Sequence, residues 1–228
     1  MVMKPGAITP GTSGRVLAFD CSGASCSAAV LVDGVLKADR FAAMERGQAE
    51  VLVPMIQSAM ADSGLDFADL DLIATTVGPG SFTGIRLGLA AAEGLALATG
   101  KPILALTSFE AHLAGLAPER RRDRPVAIVI DSRRGPVFLQ IFGPDGAPLG
   151  EPAQIEPADL PTLLPAGPVA IGGDGLALLG DPTPPDRIRA ADLARLAAGF
   201  GTQEPHPVPA HPLYLRPPDV TQPRPRAP

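Results

Sequence analysis

The 228 residues are 46% hydrophobic and 19% charged, with a net charge of −5, the balance of a folded protein rather than a disordered one. The arginines form no long basic run, so strong unaided binding to RNA, which rests on phosphate neutralisation, is excluded. No window holds the ~18 apolar residues of a membrane span, and residues 1–14, with Lys4 but no apolar stretch, do not read as a signal peptide.

Residues 1–14 are expected to be a flexible extension. Val16–Asp20 then reads as an apolar strand ending in aspartate, followed by a small-residue turn, a strand over Ala28–Val32 and the hairpin signal Asp33-Gly34. Cys21 and Cys26 flank that turn. They suit a redox pair or, more simply, two small buried thiols, and they make no zinc set with His112, His206 or His211. A helix is expected over Ala49–Ser63 and a strand over Leu72–Val77. The run Gly78-Pro-Gly-Ser-Phe-Thr-Gly-Ile-Arg-Leu-Gly88 then leads into a helix over Thr83–Thr99 that ends at Gly100. Gly78 and Gly80 permit positive φ, and Ser81 or Thr83 can cap the helix start. That helix carries two charges, Arg86 and Glu93. A helix apolar nearly all round is buried on more than one side.

Proline divides the chain. Five of its 27 prolines precede Pro118, and a boundary is expected between Thr107 and Arg124. Lobes over 15–108 and 109–204 follow, then a Pro-rich extended tail over 205–228, anchored by Pro212-Leu-Tyr-Leu-Arg-Pro217. Helices are expected over Phe109–Leu116, Pro157–Leu164 and Ala190–Phe200, a strand over Pro168–Gly172, and a solvated loop for Arg120-Arg-Arg-Asp-Arg124.

The halves repeat. Ala127–Asp131 ends in aspartate like Val16–Asp20, and a turn, the strand Val137–Phe142 and Asp145-Gly146 follow it in the same order. Two such copies, each continuing into helices and strands, resemble the paired ribonuclease-H-like lobes of the actin, sugar kinase and Hsp70 (ASKHA) superfamily, with the C-terminal lobe reduced. In that superfamily the paired aspartates face a nucleotide cleft. The resemblance makes Asp20, Ser22, Asp131, Gly173 and Gly175 candidates for a vestigial one, with Gly172-Gly-Asp-Gly175 on the adenosine side. The plainer reading of Asp20 and Asp131 is that each accepts turn N–H bonds at a strand end.

A closer resemblance is to the TsaB family, the partner subunit in bacterial tRNA threonylcarbamoyladenosine modification, once grouped with glycoprotease-like M22 proteins. It is carried by Phe19-Asp-Cys-Ser22, Ala49-Glu-Val-Leu-Val-Pro-Met-Ile56, the block Gly78–Gly88, Asp131-Ser-Arg-Arg-Gly135, the Gly172 turn and Pro212-Leu-Tyr-Leu-Arg216. It implies a non-catalytic accessory subunit in the cytoplasm. That subunit would pair with the transferase TsaD, join the ATPase TsaE, rely on TsaC for the activated threonylcarbamoyl group, and meet tRNA only indirectly. No cofactor is implied for the chain itself, since ATP is used by the partners.

TsaD has a metal-binding His-x-x-x-His motif. No such motif occurs here, and Gln48, in Glu45-Arg-Gly-Gln-Ala-Glu50, stands where many TsaB sequences have His. Gln is a poor metal ligand and no proton shuttle.

Other chemistries fit less well. Gly78–Gly84 matches the dinucleotide fingerprint loosely, Gly94–Pro102 lacks the spacing and Ser/Thr of a phosphate loop, and no Gly-x-Ser-x-Gly elbow is present. The rival function is an ATP-binding enzyme, kinase-like or peptidase-like, using an Asp20/Asp131 cleft. The surplus apolar surface of the two N-terminal helices predicts a partner interface of Leu52, Met55, Ile56, Ala59, Gly84, Gly88, Ala91 and Leu95, open to TsaD or to a second copy. Glu50 and Arg86 are candidates for an ion pair there.

Overall fold

A computed structural model describes residues 14–182, 184–200 and 210–215. Strands β1 (Arg15–Asp20), β2 (Ser25–Val32) and β3 (Val35–Ala43) form an antiparallel meander. Asp33 and Gly34 both take positive φ and make the two-residue turn between β2 and β3, the turn whose twist matches the flanking strands. Helix α1 (Gln48–Ser63) leads to β4 (Leu72–Thr76), and α2 (Phe82–Thr99) leads to β5 (Ile103–Leu106). Both strands lie parallel to β1, giving the sheet order β3-β2-β1-β4-β5.

Helices α3 (Ser108–Gly115) and α4 (Pro118–Arg121) then cross to the second sheet, made from β6 (Val126–Asp131), β7 (Val137–Phe142), β8 (Ala153–Ile155) and β9 (Ala170–Gly172) in the order β8-β7-β6-β9. A short α5 (Leu160–Leu163) lies between β8 and β9, and α6 (Ala190–Phe200) follows. The repeat is therefore real: Asp20 ends β1 opposite Ser27, and Asp131 ends β6 opposite Val137.

Three expectations change. Asp145-Gly146 sits in a longer loop between β7 and β8, closed by Gly143 N–H to the Ala147 carbonyl, rather than in a two-residue hairpin. The Arg120 cluster is partly helical in α4, and the Arg120 guanidinium donates to the Ile171 carbonyl at 2.7 Å. The largest change concerns α6, which falls within the stretch expected to form the C-terminal lobe. Leu193, Ala194 and Ala197 instead pack with Val16, Ala18, Leu31, Leu72 and Leu106 on the N-terminal sheet. The opposite face of that sheet is covered by α1 and α2 through Leu17, Phe19, Val30, Leu52, Ile56, Ala59 and Ala92. Alternate residues of β1 thus enter two different cores, which is why the strand is apolar without interruption. Helix α3 serves both lobes, with Ala111 in the N-terminal core and Phe109, Leu113 and Leu116 against Ile128, Ile130 and Phe138.

The described part of the C-terminal tail is a strap. Leu213 N–H donates to the Val77 carbonyl at 2.7 Å, and its side chain packs with Ile85, Leu89 and Ala105. The rest of the expected tail, and nearly all of the expected N-terminal extension, lie outside the described residues. Leu213→Asp should cost about 2 kcal/mol of burial and lower the melting temperature by roughly 4–8 °C. Calorimetry of the full chain checks this, and an unchanged melting temperature would show that the strap adds nothing.

Candidate functional site

The residues quoted for a nucleotide cleft lie on the two sides of the lobe junction, where Ser22 and Asp174 line one small space. The Asp20 carboxylate is fully buried and accepts hydrogen bonds from Ser22 Oγ at 2.7 Å, from the Ser22 N–H at 3.3 Å and from Thr76 Oγ1. Burial pushes this carboxyl above the usual carboxylate range against the pull of those donors. Across the junction, the Asp131 N–H donates to Asp174 Oδ1 at 2.9 Å, and the Asp131 carboxylate accepts from the Arg133 N–H at 2.6 Å. Asp174 is also shifted upward by burial, countered by His112 and Arg133. Gly173 lets the turn lie against β6, for a Cβ there would stand 2.1 Å from the Val129 carbonyl oxygen. The Gly175 N–H donates to that same oxygen at 3.0 Å.

The junction is closed by the chain itself. Arg133 holds φ 63° and sends its guanidinium to Glu45 at 3.2 Å, Asp131 at 3.6 Å and Asp174 at 3.9 Å. A cation of the C-terminal lobe thus sits among three carboxylates, one of them on the N-terminal lobe. Beneath it, the space between Ser22, Ser108, His112, Asp174 and Arg187 amounts to about 10 Å³, the size of one water molecule and far below a nucleotide. Gln48 Nε2 ties the same turn down, donating to the Gly23 carbonyl at 3.3 Å and the Met44 carbonyl at 3.2 Å.

His112, 5% exposed and with no partner for Nδ1 among the described residues, completes the buried polar floor. Sequence spacing gave no sign of it or of the Arg133–Glu45 contact. Both thiols are free and buried; Cys21 Sγ lies 3.2 Å from the Gly84 carbonyl oxygen, and burial raises Cys26 to about 11. Neither suits a nucleophile. Among the described residues no group of three His, Cys, Asp or Glu side chains is disposed to hold a metal, and no helix is long and apolar enough to cross a membrane.

The outer helices require a correction. Leu52, Ile56 and Ala59 are core residues of the chain's own sheet, at most 3% exposed. Gly84 and Gly88 also face inward. A Cβ on Gly84 would stand 2.0 Å from the Cys21 carbonyl oxygen, and one on Gly88 would stand 3.1 Å from Thr75 Oγ1. These five residues make α1 and α2 fit the sheet and are not available to another subunit. Met55, Ala91 and Leu95 are half-buried against the same core. The large apolar residues of these helices that do face outward are Val53, Phe82 and Leu97. Arg86 makes no ion pair with Glu50. Its guanidinium carbon lies 3.8 Å over the Phe82 ring, and its Nε donates to Tyr214 Oη at 2.9 Å, while the Phe82 and Tyr214 rings stack at 5.6 Å.

Residues 42–170 match the family model described as TsaD, tRNA N6-adenosine threonylcarbamoyltransferase. The chain is 41% identical over 88 residues to the tRNA N6-adenosine threonylcarbamoyltransferase of Erythrobacter litoralis, covering 38% of this chain and 26% of that protein. It is 34% identical over 124 residues to the tRNA threonylcarbamoyladenosine biosynthesis protein TsaB of Escherichia coli, covering 54% of this chain and 53% of that one. These matches therefore span about a quarter and about half of the two relatives. The solved structure of YeaZ from Pseudomonas aeruginosa superposes with a TM-score of 0.74 at 27% identity, over 89% of this chain and all of that one. The fold also resembles that of (R)-2-hydroxyglutaryl-CoA dehydratase component A of Acidaminococcus fermentans, with a TM-score of 0.50 at 10% identity over 84% of this chain and 98% of that one.

Proposed function

We propose that this chain, which belongs to the TsaD family of tRNA N6-adenosine threonylcarbamoyltransferases and is TsaB-like within it, is not the transferase but a non-catalytic subunit that pairs with it. The observation that carries this reading is the closed junction. The acids that would face a nucleotide are bonded to Ser22, Thr76 and Arg133, and the space between Ser22, Ser108, His112 and Asp174 is about 10 Å³. A kinase-like or peptidase-like enzyme using Asp20 and Asp131 would need that space open and a nucleophile or metal set within it. The chain offers neither a His-x-x-x-His motif nor an accessible thiol.

The role left to such a subunit is to steady the transferase through its outer helices, with tRNA and ATP handled by the other components. TsaE completes the assembly in this reading, and the cytoplasm is its setting. A chain of net charge −5 adds little affinity for RNA by itself.

Reconstitution tests it. With TsaC, TsaD, TsaE, ATP, threonine, bicarbonate and tRNA present, leaving out this chain should reduce threonylcarbamoyladenosine to background. An unchanged yield would remove the accessory role. ATP turnover by the isolated chain, lost in Asp131→Ala, would establish the enzyme reading in its place.

A further inference from the structure

A second space adjoins the closed junction. It amounts to about 390 Å³, in the range of small-molecule sites, and shares only His112 and Arg187 with the smaller one. None of Asp20, Asp131 and Asp174 lines it. Elements of both lobes converge there. Phe41 comes from β3, Ala111 and His112 from α3, Asp192 from the first turn of α6, and Pro184 and Arg187 from the loop before α6. That loop is tied to both sides. Asp186 Oδ2 accepts from the Gly173 N–H at 3.2 Å and lies 3.7 Å from Arg120 Nη1, both beside the second sheet. Arg189 reaches Asp39 of β3 at 2.9 Å, and its guanidinium carbon lies 4.7 Å over the Phe41 ring.

These pairs leave one charge over. Asp186 has Arg120, Arg189 has Asp39, and Asp192 has Arg195 at 2.8 Å. Arg187 is exposed and has neither a hydrogen bond nor an ion pair among the described residues. At the inner end stands His112, 5% exposed, with no hydrogen-bond partner for its imidazole among the described residues. A polar group buried in that state is costly, and a ligand atom that reaches it removes the cost. Between the two, Phe41, Ala111 and the prolines supply apolar wall. We propose that this cleft binds a small organic monocarboxylate with a flat apolar body, its carboxylate on the Arg187 fork and its body against Phe41 and Pro184. A guanidinium fork matches a carboxylate with two parallel hydrogen bonds. A second negative charge on the ligand is disfavoured, because Asp186 and Asp192 also line the cleft. A ligand seated there touches the loop, α3 and β3 together, and so favours the closed arrangement of the lobes.

The cleft goes beyond the accessory role and does not rest on it, so either can fail alone. Benzoate tests it, titrated into the full chain and followed by the amide NMR shifts. Benzamide, which has the same body without charge, and phenyl phosphate, with the same body and a second charge, are titrated alongside. Benzoate should saturate in roughly the millimolar range, with the largest shifts at Phe41, Ala111, His112 and Arg187. The other two should bind at least ~10-fold more weakly. Arg187→Ser should weaken benzoate at least ~10-fold. Arg122→Ser removes the same charge from an exposed position outside the cleft and should leave the affinity within about 2-fold of the parent. Both arginines are exposed, and circular dichroism checks that the variants are folded. Absence of saturable shifts up to about 20 mM benzoate overturns the proposal. Equal affinity for benzamide or phenyl phosphate, equal affinity in Arg187→Ser, or shifts centred away from the cleft overturns it as well.

Discussion

Gly84→Ala is expected to cost the chain at least about 3 kcal/mol, the upper end of overpacking, for the addition of a single methyl group. The new Cβ would stand 2.0 Å from the Cys21 carbonyl oxygen and 3.3 Å from Ser22 Cα, all backbone atoms that no side-chain rotation relieves. The first turn of α2 must then lift from the β1–β2 turn, and the Ser81 N–H to Ser22 carbonyl bond at 2.7 Å goes with it. Gly94, in the same helix, is the control. Nothing lies within 4 Å of a Cβ placed there, so Gly94→Ala should stabilise by about 0.5–1 kcal/mol through helix propensity and reduced chain entropy. Chemical denaturation of the two variants should move the midpoint in opposite directions. If both moved alike, close approach would not be what fixes the glycine at 84.

Asp20 gives the second large effect, and its sign depends on pH. The folded state holds this carboxyl above its unfolded range because burial outweighs the hydrogen bonds from Thr76 and Ser22. A native state that binds the proton more tightly than the unfolded chain loses stability as pH rises from the unfolded value through the raised folded one. Below that window the carboxyl is protonated in both states and the penalty vanishes; above it the penalty is complete. Asp20→Asn keeps an acceptor for Ser22 and Thr76 without the charge, so its stability relative to the parent should improve as pH rises from the unfolded carboxylate value, about 4. Asp20→Ala leaves two buried hydroxyls without their acceptor, costing about 1–3 kcal/mol for each. Urea unfolding across that pH range reads both effects. A parent-to-Asn difference that does not change with pH would mean that the carboxylate ionises in the fold without penalty.

Local chemistry was written plainly in the sequence. The Asp33-Gly34 turn, the Ser81 cap and the Gly100 stop of α2 each need one residue type at one place, so reading them needs no tertiary knowledge. The repeat was legible because both copies end a strand in aspartate before a tight turn. The facing of α1 and α2 was misread for a physical reason. Alanines at exposed positions such as 90 and 98 look apolar in a sequence and cost almost nothing in water, so the helices seemed to have an apolar face to spare. Leu52, Ile56, Gly84 and Gly88, which looked available, are the face that fits the sheet. Nothing in spacing or period could join Arg133 to Glu45, 88 positions away, and so the closure of the junction was hidden although both residues lay in quoted blocks.

The return of α6 to the first sheet fixes the order in which the molecule can be completed. Ser27 Oγ donates to the Ile188 carbonyl and accepts from the Ala190 N–H, spanning 161 and 163 positions. During synthesis, Val16, Ala18, Leu31 and Leu72 leave the ribosome long before the helix that shields them. The N-terminal half therefore waits with one side of its sheet bare, as a sticky intermediate rather than a finished domain. Expressed alone, residues 15–108 would carry the same bare surface permanently. Cutting the gene at the visible boundary between the lobes severs a core, and a workable division must give the N-terminal piece the distant helix α6.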